Sequence, residues 1–159
     1  MSEDASFEYG AERPLRLKAE DAEDLQVVSA LSQDAVFPAN EMRYLRGERR
    51  FALLLNRFRW EDRARAEARG RPVERVQSML VFDDVTSVRS SGVDRADADL
   101  ILSLLSVDFA PAEEGAGTIE ITLAGDGAIA RGVECINVAL QDVTRPYIAP
   151  SRKAPTHKD

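Results

Sequence analysis

The chain has 159 residues, of which 44% are hydrophobic, enough for one domain with a real core and too apolar for a disordered chain. One cysteine (Cys135) and one histidine (His157, in a polar tail) set aside an intrachain disulfide, multi-cysteine zinc sites and a Ser-His-Asp triad. A net charge of −7 argues against general nucleic-acid affinity. Yet residues 41–75 hold eleven arginines against six acids, so that window is basic in an acidic chain.

Residues 1–13 are acidic and aperiodic and are expected to form a mobile N-terminal segment, with residues 14–149 a single globular domain and 150–159 a disordered tail. The start has neither the basic nor the apolar character of a signal peptide, and the most apolar run, Leu100 to Val107, is too short to span a bilayer. The expected location is cytoplasmic, with no membrane partner.

Residues 21–35 read as a helix, with Ala22, Leu25, Val28, Leu31 and Ala35 on one stripe and Asp21 as its N-cap. A hairpin follows. With Gly47-Glu48 as a two-residue type II′ loop, Tyr44 faces Phe51, Met42 faces Leu53, and Arg46 faces Arg49. The strand continues to Trp60, and its apolar parity changes after Leu55. A bulge near Asn56 or burial on both faces would explain that change. Residues 61–72, rich in charge and alanine, read as a long loop with some helical character.

A third strand spans about 74–83, with Val76, Ser78, Leu80 and Phe82 on one side, and a bend at Asp83-Asp84 leads on to a turn at Ser90-Ser91-Gly92. Residues 99–109 are apolar on both faces, as in a central strand. Residues 118–123 alternate strictly, and Gly125-Asp126-Gly127 closes a hairpin. Any two-residue loop there places Ile119, Ile121 and Leu123 with Ala128, Ala130 and Gly132, and puts Ile129 and Arg131 on the other face. The alternation resumes at Ile136, Val138 and Leu140.

The fold class expected is α+β, mainly antiparallel: an N-terminal helix and six to eight strands in a partly open barrel or two-sheet roll. A pleckstrin-homology-like roll is one instance, although there the helix closes the domain.

Arg43, Arg46, Arg49, Arg50, Arg57 and Arg59 lie on the first hairpin and could present an anion-binding face, since the guanidinium fork matches phosphate and carboxylate. The plainer reading is a solvated hairpin paired to the chain's abundant acids. Tyr44, Phe58 and Trp60 interleave with these arginines, as in single-strand nucleic-acid platforms, but fit a core better. Glu134 is the candidate general acid or base, with Arg131 as a companion, if unbroken alternation buries it; a bulge at Gly132 would turn it outward. Asp94, Asp97 and Asp99 lack calcium-loop spacing and read as turn acids, and Asp83-Asp84 reads as a strand end and not a metal site. Cys135 reads as a buried inert thiol. No metal or cofactor is expected.

Leu17 to Leu25, Arg49-Arg50-Phe51-Ala52-Leu53, Asn56 to Glu61, Ile121 to Gly125, Glu134 to Leu140 and Asp142 to Tyr147 together resemble an uncharacterised alphaproteobacterial family, domain of unknown function 2948. The resemblance spans about residues 15–148 and implies no activity, cofactor or catalytic residue. The function expected is a non-catalytic binding or interaction module. Its partner would be a protein or an anionic small molecule, met by the arginine-rich hairpin. Alternatives are a small enzyme using carboxylate and arginine and, against the net charge, a nucleic-acid-binding protein.

Overall fold

The computed structural model describes residues 14–93, 99–125 and 127–148. The terminal segments expected to be mobile, Asp94, Asp97 and His157 lie outside the described residues. Ten strands follow one another as β1 (Arg16–Ala19), β2 (Val36–Pro38), β3 (Arg43–Leu45), β4 (Arg50–Phe58), β5 (Arg75–Phe82), β6 (Val85–Ser91), β7 (Ile101–Pro111), β8 (Gly117–Leu123), β9 (Ala128–Val133) and β10 (Val138–Asp142). The helices are α1 (Ala22–Ser32) and α2 (Arg63–Ala68). The count exceeds the expected six to eight because β1, β2 and β3 have only three or four residues, too few to show alternation.

All pairings are antiparallel and form one unclosed sheet in the order β1-β10-β5-β4-β2-β7-β8-β9-β6, with β3 added beside β4. This is the mainly antiparallel α+β class expected, with its N-terminal helix and an open, unclosed sheet. Phe51, Leu53, Leu55, Leu80 and Phe82 from one half of the sheet share a core with Ile119, Ile121, Leu123 and Ile129 from the other. Among the described residues no helix is long and apolar enough to cross a membrane.

The start of α1 is set locally. Asp21 sits in extended backbone and its carboxylate accepts from Asp24 N at 2.7 Å, while Glu23 and Asp24 oppose the positive end of the helix dipole. The helix ends three residues before the expected position. Leu25, Val28, Ser29 and Ser32 form its buried face, and Ala35 is buried from the segment beyond it. Ser29 Oγ accepts from Val107 N at 2.8 Å, docking α1 onto β7. β7 is paired on both sides, as its apolar run suggested, but Ile101 and Leu105 on its outer face remain exposed.

Two turns differ from the expected ones. Tyr44 pairs with Phe51 as the hairpin register required. The loop, however, is a 3-10 turn over Arg46–Glu48 closed by Arg49 in the left-handed region (φ 56°), so Gly47 does not carry the positive φ of a type II′ turn. β4 and β5 pair without interruption from Phe51↔Phe82 to Phe58↔Arg75, which rules out a bulge at Asn56 and leaves burial on both faces as the explanation. The inward parity of Phe51, Leu53 and Leu55 continues into Arg57 and Arg59, both buried.

The second difference moves an arginine into the core. Leu123 N donates to Gly127 O at 2.9 Å, so three residues, not two, separate the closing pair, with Gly125 at φ 82°. The resulting register pairs Ile121 with Ile129 and Ile119 with Arg131. A one-residue change reverses every side chain of a strand. Ile129, Arg131 and Val133 therefore point inward, where Ala128, Ala130 and Gly132 were expected. Nor does one strand run from Ala128 to Leu140: β9 ends at Val133, and β10 pairs between β1 and β5 in the other half of the sheet.

Candidate functional site

Arg57 lies at the inward end of β4 with its side chain fully buried. All five guanidinium donors are used. Nε donates to Ser78 Oγ (2.9 Å), Nη1 to Phe58 O (3.0 Å) and Glu61 Oε1 (2.8 Å), and Nη2 to Glu61 Oε2 (2.8 Å) and Asp142 Oδ1 (2.9 Å). Ser78 Oγ donates to the same Asp142 oxygen at 2.6 Å, and Leu15 N donates to the other at 2.8 Å. The network crosses β4, β5 and β10 and reaches the residue before β1. Burial, the largest influence, pulls the Arg57 pKa down; Glu61 and Asp142 more than offset it, leaving it above its ordinary value. Arg57 is thus a structural tie, and its bidentate pair with Glu61 anchors the segment that leaves β4.

That segment is ordered by its own sequence. Trp60–Asp62 form a 3-10 turn, and Trp60 Nε1 donates to Gln33 O at 2.8 Å beyond the end of α1. α2 follows and stops at Gly70 (φ 63°). There Gly70 N donates to Glu67 O and Arg71 N to Ala66 O, the paired bonds of a Schellman cap. Ala66 is buried beneath. The stretch expected as a loop with helical character is a short capped helix.

The outer side of this segment forms a cleft of about 580 Å³ whose charged lining is Arg59, Arg65, Arg69, Arg71 and Arg145 against Asp62 and Glu74. Arg59 pairs with Glu74 at 2.7 Å and lies 3.5 Å from Asp62; Arg71 pairs with Asp62 at 2.7 Å. Arg71 Nη1 is buried without a hydrogen bond. The inner pairs fix the wall, and among the described residues Arg65, Arg69 and Arg145 add three guanidinium groups with no ion pair. Such an arrangement can receive an anion.

The six hairpin arginines do not form one face. Arg43 is exposed, Arg46 lies 5.7 Å from the Tyr44 ring centroid, Arg49 pairs with Glu134 at 2.5 Å, and Arg50 pairs with Asp83 at 2.7 Å. Arg57 is internal, and of the six only Arg59 reaches the cleft. The cleft arginines Arg65, Arg69 and Arg71 lie in the basic window, and Arg145 in the Asp142–Tyr147 stretch. Gly70 after an alanine-rich run was the local signal that orders them; nothing local brings Arg145 alongside.

Glu134 stands outside the core, with its side chain 58% exposed, just past the end of β9. Arg131 is fully buried and does not pair with it. Cys135 is exposed rather than buried, because it too follows the end of β9. Its Sγ donates to Asp84 Oδ2 at 3.4 Å. Partial desolvation and the nearby Asp84 raise the thiol pKa, which disfavours the reactive thiolate. Asp84, held below its ordinary value by hydrogen bonds from Asn137 and then Cys135, shapes the β5–β6 bend at φ 58°. Phe58 is buried, its ring centroid 5.2 Å from that of Trp60 with the planes tilted by 40°. Among the described residues, no three His, Cys, Asp or Glu side chains cluster as metal ligands.

Residues 15–157 match the model of the family described as "Protein of unknown function (DUF2948)". The chain belongs to this family. No curated protein and no solved structure matches the chain. Within this DUF2948 chain, the Asn56–Glu61 and Asp142–Tyr147 stretches that carried the resemblance meet in space through Arg57, Glu61 and Asp142.

Proposed function

We propose that this protein is a non-catalytic binding module that takes a multiply charged anionic small molecule into the arginine cleft beside α2. One observation carries the reading: Arg65, Arg69 and Arg145 line the cleft without ion pairs, beside an Arg59–Asp62–Arg71–Glu74 network that holds the wall. The cleft volume, about 580 Å³, falls in the range of small-molecule sites. The site combines the loop that follows the hairpin with the stretch after β10. The partner-facing surface is therefore centred on residues 59–74 and 145, with Arg59 its member from the hairpin. A cytoplasmic setting belongs to the same proposal and is supported by the free, exposed Cys135, which suits a reducing compartment.

The test is a thermal-shift titration of the full chain with inorganic pyrophosphate and with citrate at low and at high salt. The expected result is a rise in midpoint that weakens with salt and is lost in the double variant Arg65→Glu/Arg69→Glu. Absence of any shift at low salt overturns the small-anion reading. A salt-sensitive shift of single-stranded oligonucleotides in its place would favour nucleic acid.

A further inference from the structure

Arg131 is the second fully buried arginine, and none of its three guanidinium nitrogens has a hydrogen-bond partner. Its Cζ lies 3.9 Å from the centroid of the Phe82 ring and 4.7 Å from that of Phe51. Among the described residues cation–π contact is its only stabilising contact of any strength, and it does not replace five lost hydrogen bonds to water. Burial pulls its pKa down to about 9, so it is still a cation at neutral pH. A buried charge with no counter-charge is among the most costly arrangements a core can hold, and an unsatisfied native group calls for a cause.

The sheet supplies a route to it. Among the described residues β6 pairs only with β9, and β3 only with β4, so both are edges of the unclosed sheet. At one end they are held near each other: Val85 N donates to Arg49 O at 2.9 Å, and Arg49 pairs with Glu134. Beyond that point a second cleft of about 490 Å³ opens between Met42, Tyr44, Arg46 and Phe51 on one side and Val88, Ile129 and the β6 hydroxyl residues Thr86, Ser87 and Ser90 on the other. Three of these residues surround Arg131. Phe51 stacks on its guanidinium, Val88 is its partner across β6 and β9, and Ile129 precedes it on the same inward face. The guanidinium thus lies directly behind the wall of the cleft, where the sheet has a seam and can part at least cost.

We propose that the seam between β3 and β6 is a binding site for a monoanionic amphipathic ligand, a carboxylate on an unbranched apolar body, whose head group pairs with Arg131 and whose body rests on Met42, Tyr44 and Ile129. A single buried cation matches a single negative charge. The guanidinium fork donates two parallel hydrogen bonds to a carboxylate, and Met42, Tyr44, Phe51, Val88 and Ile129 give an apolar body its contacts, while the exposed Arg46, Thr86, Ser87 and Ser90 line the rest of the cleft. The site is separate from the arginine cleft, so the two proposals fail independently.

The probe is dodecanoate, with methyl dodecanoate as its uncharged counterpart, measured by calorimetric titration and thermal shift of the full chain. Wild type should bind dodecanoate one-to-one and at least roughly tenfold more tightly than the ester. Arg131→Met should lose that discrimination, while Arg65→Glu/Arg69→Glu should keep it. If Arg131→Met does not fold, Ser90→Trp, at an exposed position lining the seam cleft, should weaken dodecanoate binding and leave the pyrophosphate response unchanged. Equal affinity of wild type for acid and ester, or no binding of either up to about 1 mM, overturns the proposal.

Discussion

Arg57 and Arg131 are both fully buried, both strand residues and both inward-facing, yet one has every donor satisfied and the other has none. Arg57 sits where β4, β5 and β10 lie side by side, so one carboxylate, one hydroxyl and one nearby loop acid converge on it. Arg131 sits across from the aromatic pair Phe51 and Phe82, on β9, one strand in from the β6 edge of the same sheet. The contrast teaches that burial of a cation has two meanings. A satisfied one ties elements together, and an unsatisfied one marks a place where the fold gives up stability for something else.

Removing each arginine should therefore move stability in opposite directions. Arg57→Met strands Asp142 in the core, and urea unfolding should show a loss of about 3–5 kcal/mol. A loss under about 1 kcal/mol would mean that the network is ornamental. Arg131→Met replaces an unpaired charge by a side chain of similar length that suits the aromatic pair. Without ligand it should gain about 1–3 kcal/mol in the same experiment. A loss of comparable size would show that cation–π contact alone sustains Arg131 and would erase the contrast.

Glu61→Gln sharpens the comparison from the loop side. The side chain of Glu61 is 27% exposed, so its bidentate pair is discounted for solvent, and about 1 kcal/mol of lost stability is expected. The same variant should weaken pyrophosphate binding at the arginine cleft, because Arg57 and Glu61 anchor α2. Unchanged binding would separate the network from the site. The smallest effect belongs to the seam staple: Glu134→Gln should leave the unfolding midpoint unchanged, as expected for a pair this exposed. Hydrogen exchange at Val85 should nonetheless speed up if the staple holds the seam.

A pH series adds a signed check on the β5–β6 bend. The Asp84 carboxyl is held below its ordinary value of 3.8 in the folded protein. Its contribution is fully present above that value and is lost as pH falls through the lower, folded one. Asp84→Asn should flatten the acid limb of the stability curve, read from unfolding midpoints between about pH 2 and 5.

Much of the architecture could be read from short stretches. Asp21 with two acids after it marked the start of α1, and Val76-Gln77-Ser78-Met79-Leu80 gave β5 its correct faces. The Tyr44–Phe51 pairing also followed from position alone. The candidate site was legible only as a charge excess in residues 41–75. Six arginines on one hairpin do not announce that Arg59 is buried at the cleft wall or that Arg57 enters the core, because Arg57 continues the parity of Leu53 and Leu55 while its charge argues for water. The partners that make its burial tolerable, Ser78 and Asp142, are 21 and 85 residues away.

The sequence by itself determined the mainly antiparallel α+β class of the fold and the place of α1 near the start of the domain. Those properties depend on period, capping and residue type, which act over a few neighbours. Tertiary structure decided where each arginine went. A three-residue turn at Gly125 turned Arg131 inward, and the placement of β10 beside β5 brought Asp142 to Arg57. Both outcomes rest on register and strand order, which no local stretch encodes, because a shift of one residue exchanges the inside of a strand for its outside.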